Sequence, residues 1–202
     1  MKALNFLLIL IAVVVQAQNP PIVPLGSRYW EVPSNSYFKD INNELNKYVG
    51  TWHFSNSTQQ FTLVIQKKQM IQIGDSYYDY LVGEYRYVEN GVELINTVPL
   101  LSSAPNDIEN RNVGGNKLIT KDMILFCPDC VMNEKRALLY FSDPQRPYLT
   151  ATQIVLHIKM ELTEPQQMTA TIFQTDSIMI PDDNVPLQTS VPYGTYLMVK
   201  QD

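Results

Sequence analysis

Two cysteines, two histidines and eight glycines in 202 residues leave little material for the commonest kinds of site chemistry. A structural zinc site needs four ligands, and Cys127-Pro128-Asp129-Cys130 has no second C-x-x-C run to complete it. A serine-hydrolase triad would have to use His53 or His157, and there is no Gly-x-Ser-x-Gly turn to present a nucleophile. A glycosidase-like carboxylate pair is defined by distance in space, and nothing along the chain nominates one. There is no basic stripe either. The net charge is −5, which argues against nucleic acid and anionic lipid, since both are held by Lys and Arg neutralising phosphate. Past the amino terminus no segment approaches the roughly 20 apolar residues of a membrane-spanning helix. The expectation is a protein that is no enzyme and uses no metal, no cofactor and no transmembrane segment in its mature form.

What is present begins with Met1-Lys2 and an apolar run from Leu4 to Val15, closed by Gln16-Ala17-Gln18. One positive charge, a short apolar stretch and a small-x-small end read as a secretory signal peptide, residues 1–17, cleaved after Ala17. No cysteine follows the run, so no lipid anchor is expected, and the product is placed in the periplasm or outside the cell. The remaining 185 residues suit one domain with a sizeable core, and losing Lys2 takes the charge to −6. Pro20, Pro21, Pro24 and Pro33 break both helix and ladder, so 18–35 reads as a proline-rich arm, with Trp30 as its one anchor. Residues 36–202 are then a single domain. Phe38, Ile41, Leu45 and Tyr48 recur at helical spacing, with Asn35 or Ser36 to cap and Gly50 to stop, which predicts one short helix over 36–48.

From Gly50 the period changes to two. Trp52 and Phe54 share one face of the first strand, and Phe61, Leu63 and Ile65 share one face of the next. Asn90-Gly91 between Tyr85-Arg86-Tyr87-Val88-Glu89 and Val92-Glu93-Leu94-Ile95 is a strong hairpin signal, since Asn-Gly tolerates the two positive-φ positions of a type I′ turn. Further strands are expected near 122–127, 136–142, 152–162, 168–174 and 195–200. Ile154, Leu156, Ile158, Met160 and Leu162 alternate with Val155, His157, Lys159 and Glu161, which predicts one buried and one wet face. Residues 102–118 look like a long irregular loop. Thirteen prolines fit short strands with marked corners. About 8–9 strands with tight links favour an all-β, antiparallel up-and-down barrel, because closure removes vulnerable edges; a sandwich is the alternative.

The helix-to-strand passage Tyr48-Val49-Gly50-Thr51-Trp52 resembles the Gly-x-Trp opening of lipocalin and wider calycin barrels. The resemblance implies a lipocalin-like eight-stranded barrel, with Gly50 entering the first strand and Trp52 plugging the closed end. A second motif of the Thr-Asp-Tyr type is missing, and Lys200 stands where a late arginine would pack over the tryptophan. The longer stretches 43–52 and 81–93 are similar to a family of small secreted bacterial proteins of unknown function, which implies no activity.

Three features remain as candidate sites. Trp52, Phe54, Phe61, Leu63 and Ile65 would line a barrel interior that holds a small apolar ligand, unless they simply fill it. Tyr77, Tyr85 and Tyr87, which share a face, would add to that cavity or form an aromatic platform, against the plainer reading of ordinary cross-strand packing. Cys127 and Cys130 are expected to form a disulfide at a strand end, as exported cysteines do; a redox role would need a thioredoxin-like setting that their flanks lack. His53 and His157 read as satisfied sheet residues. The leading expectation is therefore an exported carrier of a small apolar ligand. The alternative is an envelope or secreted module that meets a protein or glycan and whose barrel is filled.

Overall fold

The computed structural model describes residues 19–103, 108, 110–125, 127–159, 165–176 and 184–201. The predicted signal peptide lies outside them, as do Met160, Glu161 and Leu162. The strands are β1 Ile22–Pro24, β2 Tyr37–Lys39, β3 Gly50–Ser55, β4 Gln59–Ile73, β5 Ser76–Glu89 and β6 Val92–Asn96. They continue with β7 Val113–Ile119, β8 Arg136–Phe141, β9 Thr152–Ile158, β10 Gln167–Gln174 and β11 Gly194–Gln201. Chain-order neighbours pair antiparallel from β3 to β5 and from β7 to β11. Two further pairings close the sheet: β11 returns to β3, with Lys200 opposite Trp52, and β5 meets β7, with Val82 opposite Gly114. The result is an eight-stranded antiparallel barrel, not a sandwich.

Strict alternation builds its interior. Trp52, Phe61, Leu63, Ile65, Leu81 and Tyr85 point inward with 0–1 % exposure. The Asn90-Gly91 hairpin forms as its residues require, with φ of +50° and +77° between β5 and β6. Beyond Ile65, β4 has no partner in β3, and before Leu81, β5 has none in β7. These distal halves pair with each other, and β2 adds to β5 in parallel, followed by β1 on β2. A small four-stranded flange therefore projects past the Trp52 end of the barrel.

Five expectations need correction. The arm is not free of ladder, since Ile22–Pro24 pairs in parallel with β2, and Trp30 is exposed and does not anchor it. The helix over 36–48 does not form. Tyr37 and Phe38 instead join β5, Phe38 stacking on Tyr78 at 4.8 Å, and Asn43 at φ +57° breaks any helical path. Only a 3-10 turn, Asn46–Tyr48, remains before β3. Residues 113–118, expected within a loop, belong to β7: glycines depress strand propensity, yet this seam needs one, since a Cβ on Gly114 would lie 2.6 Å from the Tyr140 hydroxyl. Of the strand expected over 122–127, residues 122–125 are turns and bends, Cys127 is in no strand, and Phe126 lies outside the described residues. The turns are held on the outer wall by the buried Arg136, whose guanidinium donates to the carbonyls of Leu125 (2.7 Å) and Thr120 (3.1 Å). The wet face of β9 is partly dry for the same reason, with Val155 packed beside Ile119 and Leu138.

Candidate functional site

The barrel interior is the first place to look, and it is full. Trp52 sits over the closed end, its indole N–H donating to the Tyr48 carbonyl at 2.9 Å and the Lys200 ammonium lying 5.4 Å from its ring. Above it, Phe61 meets Tyr85, Tyr87 and Tyr196 edge-on, with ring centroids 6.2, 6.5 and 5.2 Å away, and Tyr85 stacks on Phe141 at 4.6 Å. Trp52, Phe61, Leu63, Tyr85 and Tyr87 have no exposed surface, either to bulk water or to an internal void. The tyrosine hydroxyls do not converge on a ligand position. Tyr85 donates to the Ser142 carbonyl, Tyr196 to the Pro192 carbonyl, and Tyr87 accepts from Gln59. Burial pushes Tyr48, Tyr85 and Tyr196 well above the ordinary tyrosine range, with nearby carboxylates adding to it at Tyr48 and Tyr85.

Of the eight side chains expected around a ligand, those five and Ile65 meet in one core cluster. Phe54 packs at its margin, edge-on to Tyr196 at 5.1 Å. Tyr77 is not with them: it lies in the flange, opposite Tyr37 and Gln72. His53 hydrogen-bonds Thr62 across the sheet at 3.1 Å.

A cleft of about 640 Å³ opens outside the barrel, between the arm, the segment after β2 and the end of β7. Leu25, Ile41 and Leu118 form its apolar lining, and Lys39, Lys117 and Lys135 bring charge to it. Asp40 and Glu44 also border the cleft, but both are engaged. Asp40 accepts the amides of Glu44 and Leu45 at 2.8 and 2.9 Å and binds Lys67 at 2.8 Å; Glu44 binds Lys135 at 3.0 Å. Asp79 is the second buried acid here, accepting the Asp40 amide at 2.9 Å and the Tyr37 hydroxyl. Burial and then that hydrogen bond push Tyr37 up to about 12. These acids are latches that fix the arm and the 3-10 turn to the barrel. No sequence pattern could have found the cleft, because its lining comes from four separate stretches of chain.

Cys127 and Cys130 are joined as a disulfide on the outer wall, with Cα atoms 5.4 Å apart. His157, which the sequence reads as a satisfied sheet residue, and Glu134, which no motif marks, lie against it. His157, from β9, places Nε2 3.8 Å from the Cys130 sulfur and 2.8 Å from Glu134 Oε1. Burial raises the Glu134 carboxyl, but hydrogen bonds from His157 and the Val131 amide outweigh it and hold the group below its usual range.

Among the described residues no helix is long and apolar enough to cross a membrane. No curated protein and no solved structure matches the chain. One family model does, over residues 1–201, so the chain belongs to the family of unknown function DUF6705.

Proposed function

We propose that this protein is an exported binding module whose lipocalin-like barrel is a filled scaffold and whose ligand sits outside it, in the cleft between the arm and β7. One contrast carries the reading: Trp52, Phe61, Leu63, Tyr85 and Tyr87 in the interior have no accessible surface, while a cavity of about 640 Å³ lies beside the closed end. That volume falls within the roughly 300–1,000 Å³ of typical small-molecule sites. The lining names the ligand chemistry. Leu25, Ile41 and Leu118 suit an apolar body. Lys39 and Lys117 make no ion pair among the described residues, whereas Lys135 is matched by Glu44, so the free charge is positive. The ligand is a small amphipathic anion, and its binding involves no chemical step.

Native mass spectrometry of the protein purified gently from its own source tests this. The expected result is extra mass that disappears on denaturation, and that a Lys39→Glu/Lys117→Glu variant fails to retain while remaining folded. A bare protein, or a variant that keeps the ligand, would reject the cleft as the site. In that case the second reading gains: Tyr29 and Trp30 are 52 % and 78 % exposed on the arm, a surface suited to an envelope protein or glycan. Its signature is partner capture that a Trp30→Ala variant loses.

A further inference from the structure

The cysteine pair with its two neighbours carries an inference independent of the cleft. We propose that the reduced Cys127–Cys130 pair, together with His157 and a water molecule beside Glu134, is a tetrahedral zinc site, so that disulfide and metal are alternative states of the same two sulfurs. The donor atoms of Cys127, Cys130 and His157 all lie within 4.8 Å of one another. A zinc ion bound at about 2.0–2.3 Å to tetrahedral sulfur, nitrogen and oxygen ligands sets donor-to-donor separations of roughly 3.4–3.8 Å. The Cys130 sulfur and His157 Nε2, 3.8 Å apart, already span such an edge. Glu134 Oε1, 2.8 Å from the same nitrogen, stands beside this three-donor group, and the fourth corner falls to a water molecule.

The direction of these contacts separates a metal site from a proton relay. In a cysteine–histidine–carboxylate relay the two ring nitrogens face different partners, one the thiol and one the acid. Here a single nitrogen, Nε2, faces both Cys130 and Glu134, and it lies within 4.8 Å of both sulfurs, so the two cysteines and the histidine form one donor group. The site is also held from behind. His157 is fixed by the β9–β10 ladder opposite Thr169. The second Glu134 oxygen accepts the Val131 amide at 3.0 Å, which aims the first at the histidine. The two-residue spacing within Cys-Pro-Asp-Cys is the usual one for a chelating cysteine pair. The side chains of His157 and Glu134 are 12 % and 7 % exposed, shielded enough to hold an ion and open enough to admit one.

The chemistry balances with an external dithiol as reductant. Two electrons and two protons from the dithiol break the sulfur–sulfur bond, leave Cys127 and Cys130 as thiols, and convert the dithiol to its own disulfide. Zinc then displaces both thiol protons to solvent as the two zinc–sulfur bonds form. Oxidation by a protein or small-molecule disulfide reverses the sequence and expels the ion.

The test uses the full-length protein, reduced with a dithiol that is then removed without air, and titrated with Co²⁺ followed by Zn²⁺. The expected result is one equivalent of cobalt, thiolate-to-cobalt charge transfer with the strong visible bands of a tetrahedral centre, and displacement by one equivalent of zinc. The oxidised protein should show none of this. His157→Ala should weaken zinc binding by more than the roughly 10–100-fold that loss of an outer-shell partner costs, and His53→Ala should bind as the wild type does. X-ray absorption of the zinc-loaded wild type, which needs no variant to fold, should show two sulfur and two lighter neighbours. A reduced protein that takes up no cobalt overturns the proposal. So does a His157→Ala variant that titrates unchanged, or a zinc shell without sulfur.

Discussion

Whether the barrel is filled decides where the proposed ligand would sit, and Phe61→Ala puts that to a measurement. The ring has no exposed surface and meets Tyr85, Tyr87 and Tyr196 edge-on. Truncating a buried phenylalanine costs about 3–5 kcal/mol, because the lost transfer energy is joined by the cost of the cavity left behind. Aromatic pairs add roughly 0.5–1.5 kcal/mol each beyond their buried area, so three of them put Phe61 at the upper end, about 4–5 kcal/mol. For a chain of this size about 1 kcal/mol shifts the melting midpoint by roughly 2–4 °C, which gives a fall of about 8–20 °C. Urea titration supplies the energy and calorimetry the midpoint. The void should also stay dry and bind benzene, as apolar cavities do, so benzene should raise the variant's midpoint and leave the wild type's alone. A cost below about 1 kcal/mol, well under the usual range, would mean that the interior was already open. So would benzene stabilising both proteins equally. Either result would return the ligand to the lumen.

Three more predictions follow from groups around the closed end and the core. Asp40→Ala strands Lys67, whose side chain is 9 % exposed, and frees the amides of Glu44 and Leu45, so it should cost about 3–5 kcal/mol; Lys67→Met in the same background should recover part of it, and failure to do so would show the ion pair to be incidental. Lys200→Ala removes the ammonium from the Trp52 ring and should cost about 1 kcal/mol, with a change in Trp52 fluorescence; an unchanged urea midpoint would deny the contact any weight. Stability should also fall as pH rises through 10 and beyond, since Tyr48, Tyr85 and Tyr196 titrate near 10 in the unfolded chain and higher when folded. Above pH 10 the unfolded state binds fewer protons than the native one, so ionisation favours unfolding, and the stabilisation present below that pH is lost. Spectrophotometric titration should show these tyrosines ionising together with loss of structure; smooth ionisation in a protein that stays folded would contradict their burial.

The barrel was legible because its signals are local. Period-two faces at Trp52–Phe54, Phe61–Ile65 and Ile154–Ile158, and the Asn90-Gly91 turn, each declare themselves within a few residues. Lys200, singled out as the stand-in for a late arginine, does cover Trp52. What failed is what distant partners decide. Phe38, Ile41, Leu45 and Tyr48 keep helical spacing, yet Tyr78 and Asp79, some 40 residues away in sequence, draw Tyr37 and Phe38 into a strand. Gly114 and Gly115 lower local strand propensity, but the β7–β8 seam selects them for close approach to Tyr140 and Leu139. His157 read as a satisfied sheet residue and Glu134 carried no signal, because Cys130 meets them only through the fold of the 120–135 segment over β8 and β9.

Hollow and filled barrels share one sequence pattern, since both need an apolar residue at every second position. Side-chain size separates them. An eight-stranded barrel has a lumen just wide enough for its own side chains to fill, and a carrier must keep that lumen clear with small or splayed residues. This chain instead turns Trp52, Phe61, Tyr85, Tyr87, Phe141 and Tyr196 inward and sets Tyr48 beneath them. Rings of that bulk leave no room, and the hydroxyls are directed to wall carbonyls and to Gln59. The cleft, by contrast, is assembled from outside the barrel pattern, by the arm, the 39–44 segment and the end of β7, whose lysines and leucines carry no motif. The number of large rings on the inward face, weighed against an eight-strand circumference, is what marks this barrel as filled in its amino-acid sequence.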